Sequence, residues 1–474
     1  MNSSGQDEQK QQEKFLMMTQ APVKKLVLKM AAPTIVSMMV TAVYNVVDAA
    51  FVAHLSTEAA AGVGVAFAYM TFVQAIGFFC GHGSGNYISR SLGAQQIQNA
   101  EKMAATGFFS ALLTGLLIGT AGLLFLSPLS HFLGATPEIT GTSNQYLRFI
   151  LLATPLMMSG LVMNNQLRLQ GSAQYAMIGL ASGAILNMLL DPLFIFVLDW
   201  GVSGASAATL CSQLFSWVLL FLGTKRAGNV HILLRNFTPK FYYYKEITRG
   251  GLPSLCRQGL ICISTICLNR AAAIYAAPGM EASTIAAFAI VSRIMMFSFA
   301  IILGLGQGFQ PVCGFNYGAK LYHRVKESYI FCMSVSTLIL LVLATLGFVF
   351  APQLISLFRH EDTELIAIGT KVLRWQCIVF PLCGITTPTN MLFQTTGHAF
   401  KATLLSVCRQ GLFFLPTLYI SAWFFELQGL MATQAVADLL TFCFTLPFGI
   451  QVIRKLNRHS QNYGVADDID TWNF

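Results

Sequence analysis

Four polar side chains stand out in this otherwise apolar chain: Asp48, Asn187, Asp191 and Thr209. Asn187 and Asp191 are four residues apart, so a helix places them on one face. Asp191 lies eight residues before Asp199, where a turn Asp199-Trp200-Gly201 is expected, and Thr209 lies eight residues past that turn. At about 1.5 Å per residue, both sit ~12 Å below the same membrane face. Asp48 is six residues before His54, near the outer end of the first apolar stretch, which puts it ~9 Å from that face. A carboxylate at the centre of a bilayer costs roughly 2.5–3.5 kcal/mol even on the lenient insertion scale. Pro192 cannot donate to the Met188 carbonyl, so that oxygen is left free near Asp191. A carboxylate, an amide oxygen and a hydroxyl at similar depth suit a small hard cation or a proton. Two carboxylates together in low dielectric must share a proton or hold a cation between them.

The elements that position these groups are membrane spans. The chain has 474 residues, of which 55% are hydrophobic and 10% charged, where soluble domains average about 25% charged. It reads as an all-α integral membrane protein. Twelve transmembrane helices are expected, near 26–54, 60–82, 103–127, 146–167, 175–198, 201–223, 247–276, 283–312, 328–351, 366–394, 402–425 and 429–453. They group as a disordered tail (1–24), a six-helix bundle (25–223), a linker (224–246), a second six-helix bundle (247–455) and a second tail (456–474). No cleavable signal is expected in the polar, Gln-rich first twenty residues.

The basic residues gather in alternate loops. Lys24, Lys25, Lys29, Arg90 and Lys102 share one side with Lys225, Arg226, Arg235, Lys240, Lys245, Lys320, Arg324, Lys326, Arg454, Lys455 and Arg458. The loop near 352–365 departs from this alternation, mixing Arg359 and His360 with Glu361, Asp362 and Glu364. The positive-inside rule puts both termini in the cytoplasm. The net charge of +9 therefore speaks of anionic lipid rather than nucleic acid. The eleven cysteines are scattered without a C-x-x-C pair, so they read as small buried hydrophobes. Gly81-x-Gly83-x-Gly85 lacks a following Lys and an attached strand, so it is no phosphate loop. Without a Walker sequence, ATP has no place to bind. No metalloprotease or nucleophile-elbow motif suggests an enzyme.

The two halves repeat. Pro155 and Pro381 are 226 apart, as are Gly171 and Gly397. Gly93 and Gly318, Gly204 and Gly429, and Gln213 and Asp438 are each 225 apart. Gly81-x-Gly83-x-Gly85 matches Gly304-x-Gly306-x-Gly308 at 223. Six spans return the chain to its starting side, so this is a parallel duplication, with substrate expected in the cleft between halves.

The motif at 187–209 (N-x-x-x-D-P-L-F-I-F…G-V-x-G-A-x-x-A-T), the Asp in the first span, and GQGFQPVCGFNYGAK at 306–320 followed by Arg324 together resemble the MATE family of multidrug and toxic-compound extrusion transporters. The MepA-type and DinF-type bacterial branch is most similar, and the resemblance covers residues 24–455. It implies two six-helix bundles in a bacterial inner membrane, exporting drugs, mostly amphipathic cations, against inward Na⁺ or H⁺. It also implies that Asp48, Asn187, Asp191 and Thr209 hold the coupling ion, the one cofactor expected. Another branch uses carboxylates in helices seven and ten. Helix seven here offers Arg257, Gln258, Asn269 and Arg270, and helix ten Gln376, Thr386, Thr387 and Asn390, with no acid.

A polyspecific cavity needs soft apolar lining. Met157, Met158, Met163, Met295, Met296 and Phe299 are candidates, with polar contacts from Gln310 and Asn316. Arg293, mid-span, is expected to face the cavity or pair internally. Arg257 and Arg409 are placed near cytoplasmic helix ends, snorkelling or gating. A monomer is expected. The alternative is a flippase for lipid-linked sugars, which shares this superfold but would want several cavity cations, where only Arg293 and Arg270 are on offer.

Overall fold

In hydrocarbon every backbone N–H and C=O must find its partner inside the protein, which an α-helix achieves within one segment. The computed structural model describes residues 3–53, 57–227, 230–276, 279–358 and 362–461, and among them every regular element is helical. In chain order they are α1 (Ser3–Gln20), α2 (Val23–Ala53), α3 (Thr57–Gly93), α4 (Ile97–Leu124), α5 (Leu126–Phe132), α6 (Thr140–Leu169), α7 (Ala173–Pro192) and α8 (Gly201–Ala227). The second series is α9 (Phe241–Tyr275), α10 (Glu281–Gly318), α11 (Tyr322–Val349), α12 (Ala351–Ser356), α13 (Thr363–Val379), α14 (Cys383–Thr396), α15 (Ala399–Val407) and α16 (Phe414–Gln461). His54, Arg359, His360, Glu361 and the tail beyond 461 lie outside the described residues.

Eleven helical stretches among the described residues are long and apolar enough to span. The last, Ala399–Arg458, has 60 residues, roughly 90 Å if straight, three times the ~30 Å hydrocarbon core. It is not straight. Glu426 takes φ 49° and ψ −131° inside α16, and the chain folds back there, bringing Ser421 Oγ to 3.0 Å from Thr433 Oγ1. This stretch is two passes, which gives the twelve expected. The chain is a multi-pass membrane protein.

Apolar packing follows the duplication. One buried cluster lies within α3–α8 and another within α9–α16. A third joins both series, with Met30 and Ala31 of α2 and Ile88 of α3 beside Phe309 and Cys313 of α10. These joining contacts sit in the early turns of α2 and α9 and the last turns of α3 and α10. We call this end of the molecule the basal face.

Glycines set how closely the halves approach there. A Cβ on Gly83 would collide with the Ile247 carbonyl of α9, and one on Gly308 with the Ala31 backbone of α2. Gly81 instead faces Asn165 and Gly306 faces Met391, each within its own half. The structural equivalents are therefore Gly81 with Gly306 and Gly83 with Gly308. This corrects the 223-residue match read from the motif to 225, in line with the 225 and 226 of the other pairs. Three glycines at alternate positions can be overlaid in two registers, and only the partner helix tells them apart. Backbone details repeat as well. Gly171 and Gly397 both take left-handed φ, 80° and 88°. Asn164 and Asn390 each donate to a carbonyl twelve residues on, Ala176 and Ala402, at 2.9 Å.

Most of the stretch expected to be a disordered tail is ordered. Ser3–Gln20 is a helix that lies across the basal face. Met18 is fully buried and lies under Gly171 of the first half. Its carbonyl accepts from Asn316 Nδ2 of the second half at 3.1 Å, and Arg324 Nη2 donates to the Ala21 carbonyl at 2.6 Å. Lys14 donates to Ser172, and burial, then Lys10, holds its ammonium down at about 8. The Gln-rich composition hid this helix because it is anchored by a few contacts at its C-terminal end rather than by an apolar stripe. The linker is also shorter than expected, since α8 runs to Ala227 and α9 starts at Phe241.

The reversal at Glu426 yields a direct prediction. Ser421→Cys with Thr433→Cys should form a disulfide under mild oxidant, counted as the loss of two alkylatable thiols. In an unbroken helix the pair would stand ~18 Å apart and the thiols would persist.

Candidate functional site

Asn187 and Asp191 project from one face of α7 toward α8, as their spacing requires. Below them, Ser216 Oγ donates to the Gly179 carbonyl at 2.8 Å and ties α8 to α7. Beyond Asp191, the helix does not stop at Pro192. It widens into a π turn, Leu193–Val197, one answer to the hydrogen bond the proline removes. Gly204 lets the start of α8 pass close to the Phe194 carbonyl. Thr209 is thereby brought level with Asn187.

Assigned by its partners, the Asn187 amide turns its nitrogen to Asp191 Oδ2 at 3.1 Å and its oxygen to the Thr209 backbone N–H at 3.1 Å. The opposite orientation offers only a 3.4 Å contact to Thr209 Oγ1, so the first is preferred. Thr209 Oγ1 donates to the Ala205 carbonyl at 3.0 Å. Asn187, Asp191 and Thr209 are all buried. Asp48 reaches them from α2. Its carboxyl lies within hydrogen-bonding range of that of Asp191, while its Oδ1 is buried without a partner. Two carboxyl groups in such contact repel unless a proton or a cation lies between them. All four residues expected to form the pocket are thus together.

Two members were not anticipated. Tyr44 and Tyr146 lie within hydrogen-bonding range of the Thr209 side chain and beside both acids. Tyr44 could have been found, since it is four residues before Asp48 on the same helical face. Tyr146 of α6 carried no signal, because only the fold brings α6 here.

A cavity of about 170 Å³ opens on the basal side of this cluster. Its lining includes Tyr44 and Asn187, shared with the acid pair, together with Phe78, Met157, Gln213 and Trp217. The lining holds no charged side chain. Of the expected cavity residues, Met157 is here. Met158 is fully buried against Gly115, and Met163 is in the first-half core. Met295 and Phe299 pack on the second-half core, and Met296 is half-buried on the same helix.

Gln310 and Asn316 serve the basal contacts instead. Arg168 of α6 donates across the halves to the Gln307 carbonyl at 2.7 Å and to Gln310 Oε1 at 2.9 Å. Its Nη2 donates to Asn165 Oδ1 at 2.7 Å. Asn316 Oδ1 accepts from Arg324 Nε at 2.8 Å.

The arginines also differ from expectation. Arg409 does not snorkel. It sits in a π turn, Cys408–Leu412, with Asp438 Oδ1 at 2.8 Å and Oδ2 at 3.3 Å. The Phe299 ring centroid is 4.1 Å from its guanidinium carbon. Arg257 lies well inside α9 rather than near its end. Arg293 is exposed on α10.

Residues 33–193 and 263–420 match the family described as MatE. The multidrug export protein MepA of Staphylococcus aureus is 24% identical over 432 residues, 90% of this chain and 94% of its own. The MepA of Staphylococcus haemolyticus is 24% identical over 428 residues, 90% and 93%. Among solved structures, an outward-facing multidrug resistance MATE family transporter of the MOP superfamily superposes with a TM-score of 0.87 at 26% identity, over 94% of this chain and 98% of that one. A MOP superfamily transporter of Pyrococcus furiosus, described by the reverse polarity of its binding pocket, gives 0.86 at 27% identity, over 93% and 98%.

Asn187→Ala removes a contact to the Thr209 N–H, which α8 also engages, and strands one Asp191 oxygen. It should cost about 1–3 kcal/mol, read as an earlier thermal unfolding midpoint in detergent. An unchanged midpoint would mean those two bonds are not made.

Proposed function

We propose the following role for this chain, which belongs to the MatE family: it exports small drug-like molecules, chiefly amphipathic organic cations, in exchange for an inward-moving H⁺ or Na⁺. The observation that carries this reading is the acid pair at the edge of an otherwise uncharged cavity. Tyr44 and Asn187 belong to both, so a change in the charge of the pair is felt at the cavity wall.

The arrangement favours the proton. A carboxyl–carboxyl contact closes with a single shared proton. Asn187, in the orientation its partners assign, presents nitrogen to Asp191 and turns its oxygen to Thr209, which suits a protonated pair. Sodium would suit the opposite orientation, in which Asp48, Asp191, Asn187 and Thr209 would supply the hard oxygen ligands such an ion takes. The unpartnered Asp48 Oδ1 fits either ion.

In the cycle we propose, the basal contacts hold the halves closed toward the cytoplasm, so the ion enters from outside. Binding of the ion between Asp48 and Asp191 lowers the negative charge that attracts a cationic substrate, from two charges to one, and the drug leaves outward. The halves, residues 25–223 and 247–455, then rock about the duplication axis. The Arg168, Gln307 and Gln310 bonds break, and the ion is lost to the cytoplasm. We place the protein in a bacterial cytoplasmic membrane with both termini inside, by its basic loops, and working as a monomer. Its work needs no ATP and no catalytic step.

Proteoliposomes loaded with a fluorescent cationic dye test this. A pH gradient alone should drive export and a sodium gradient alone should not. Asp191→Asn should abolish gradient-driven export while inserting normally. Normal pumping by that variant would remove the acid pair from the mechanism. Export on sodium alone would move the site from proton to Na⁺.

A further inference from the structure

A cleft of about 760 Å³ opens on the basal face, where the last turn of α3 meets the early turns of α9 and α15 and the residues after α10. Four cations line it, Arg90 from the first half and Arg249, Lys320 and Lys401 from the second, and Glu246 is the one carboxylate among the described lining residues. Glu246 is already engaged. Arg90 Nη2 reaches it at 3.4 Å and Arg249 Nη1 at 2.8 Å. Arg90 also crosses the seam between the halves, donating from Nη1 to the Thr395 carbonyl at 2.6 Å. The lining is thus strongly positive. Burial, then Lys401, Arg90 and Lys455, hold the imidazole of His398, on the same wall, down at about 4.

The duplication provides a matched cleft for comparison. There Arg90 is answered by Phe315 and Lys320 by Gln95, both at 225, and Lys401 by Tyr175 at 226. Gln95 and Lys320 share even a left-handed φ, 58° and 59°. The matched cleft is filled by α1. Gln11, Gln12 and Phe15 share a wall with Gln95 and Phe315, and Lys14 and Met17 share one with Ser172 and Tyr175. At these three positions the cleft that α1 fills is neutral, and the cleft with 760 Å³ of space is cationic. A basic cytoplasmic surface alone asks for no such difference between two copies.

Guanidinium, ammonium and phenol groups together suit phosphate oxygens. The hydroxyls of Tyr87 and Tyr242 lie 3.3 Å apart on the cleft wall. On the orientation proposed above this face is cytoplasmic, and basic pockets between membrane helices on that side take lipid head groups. Tyr242 and Phe400, which also line the cleft, are exposed, as aromatic side chains at the membrane–water interface are. We propose that this cleft binds a phosphate group, carried by an anionic lipid or by a soluble phosphorylated molecule. The phosphate meets Arg90 of the first half and Arg249, Lys320 and Lys401 of the second, and so bridges the seam. The site stands apart from the acid pair and its cavity, and its test needs no transport.

Delipidated full-length protein in a neutral detergent is titrated with short-chain phosphatidylglycerol, short-chain phosphatidylcholine or glycerol 3-phosphate, and the thermal unfolding midpoint is read. Phosphatidylglycerol should raise the midpoint saturably, and phosphatidylcholine, whose choline cancels the phosphate charge, should not. A rise with glycerol 3-phosphate and none with phosphatidylglycerol would assign the phosphate to a soluble molecule. Lys320→Gln with Lys401→Gln should weaken the effective ligand about tenfold. Lys320→Arg with Lys401→Arg keeps both charges and should stay within about twofold of the wild type, which separates charge from misfolding. Lys24→Gln with Lys25→Gln removes equal charge from the same face outside the cleft and should also stay within about twofold. No saturable rise with either phosphate, or equal weakening by the two Gln pairs, overturns the proposal. A rise that appears only after removal of residues 462–474, which carry Asp467, Asp468 and Asp470, overturns it too and gives the cleft to that acidic segment.

Discussion

The contact between Asp48 and Asp191 constrains everything around it. Two acids on different helices, α2 and α7, can touch in a low-dielectric interior only with a positive charge between them. That makes the spacing of the two helices depend on the state of a single ion. Asn187 meets both Asp191 and Thr209, and Tyr44 and Tyr146 meet Thr209, while Asp48 Oδ1 is left without a partner. The π turn after Pro192 and the close pass at Gly204 hold α7 and α8 as one piece. The other acid stands on α2, and α2 is also the helix on which Gly308 of the second half rests. A local electrostatic event is thereby tied to the packing of the two halves.

The duplication shows which parts of a transporter are scaffold and which are chemistry. Left-handed glycines at 171 and 397, the Asn164 and Asn390 side-chain bonds, and the glycine contacts at 83 and 308 are kept in both halves. These are features of backbone geometry, and a second copy needs them as much as the first. The polar interiors diverge. One half holds the Asp48–Asp191 pair beside a buried Arg168, and the other holds Arg409 bound to Asp438.

Much of this was legible in the sequence. Asp48, Asn187, Asp191 and Thr209 were read as one pocket because helical spacing and depth from a turn are local arithmetic. Twelve spans followed from apolar length. The failures share a cause in contacts that sequence spacing does not encode. Gln310 was read as a cavity residue because a polar side chain in a span invites that reading, and only the fold brings Arg168 to it. Arg409 was read as snorkelling because its partner Asp438 is on a separate span. The glycine repeat was overlaid two residues out of register because three alternate glycines fit themselves twice. The N-terminal helix was missed because Met18 and the residues it meets are hundreds of positions apart.

That last separation has a cost in time. Met18 and Asn316 are 298 residues apart. At about 5–20 residues per second of synthesis, roughly 15–60 s pass between the emergence of α1 and that of its second anchor. For that interval α1 has only the Gly171 and Ser172 side of its site, and before those residues appear it has none. A Gln-rich, mostly polar helix waits in water harmlessly, where an apolar one would bind membrane or aggregate. The composition that makes α1 look like a tail also suits a segment that is made well before its anchors and seated late.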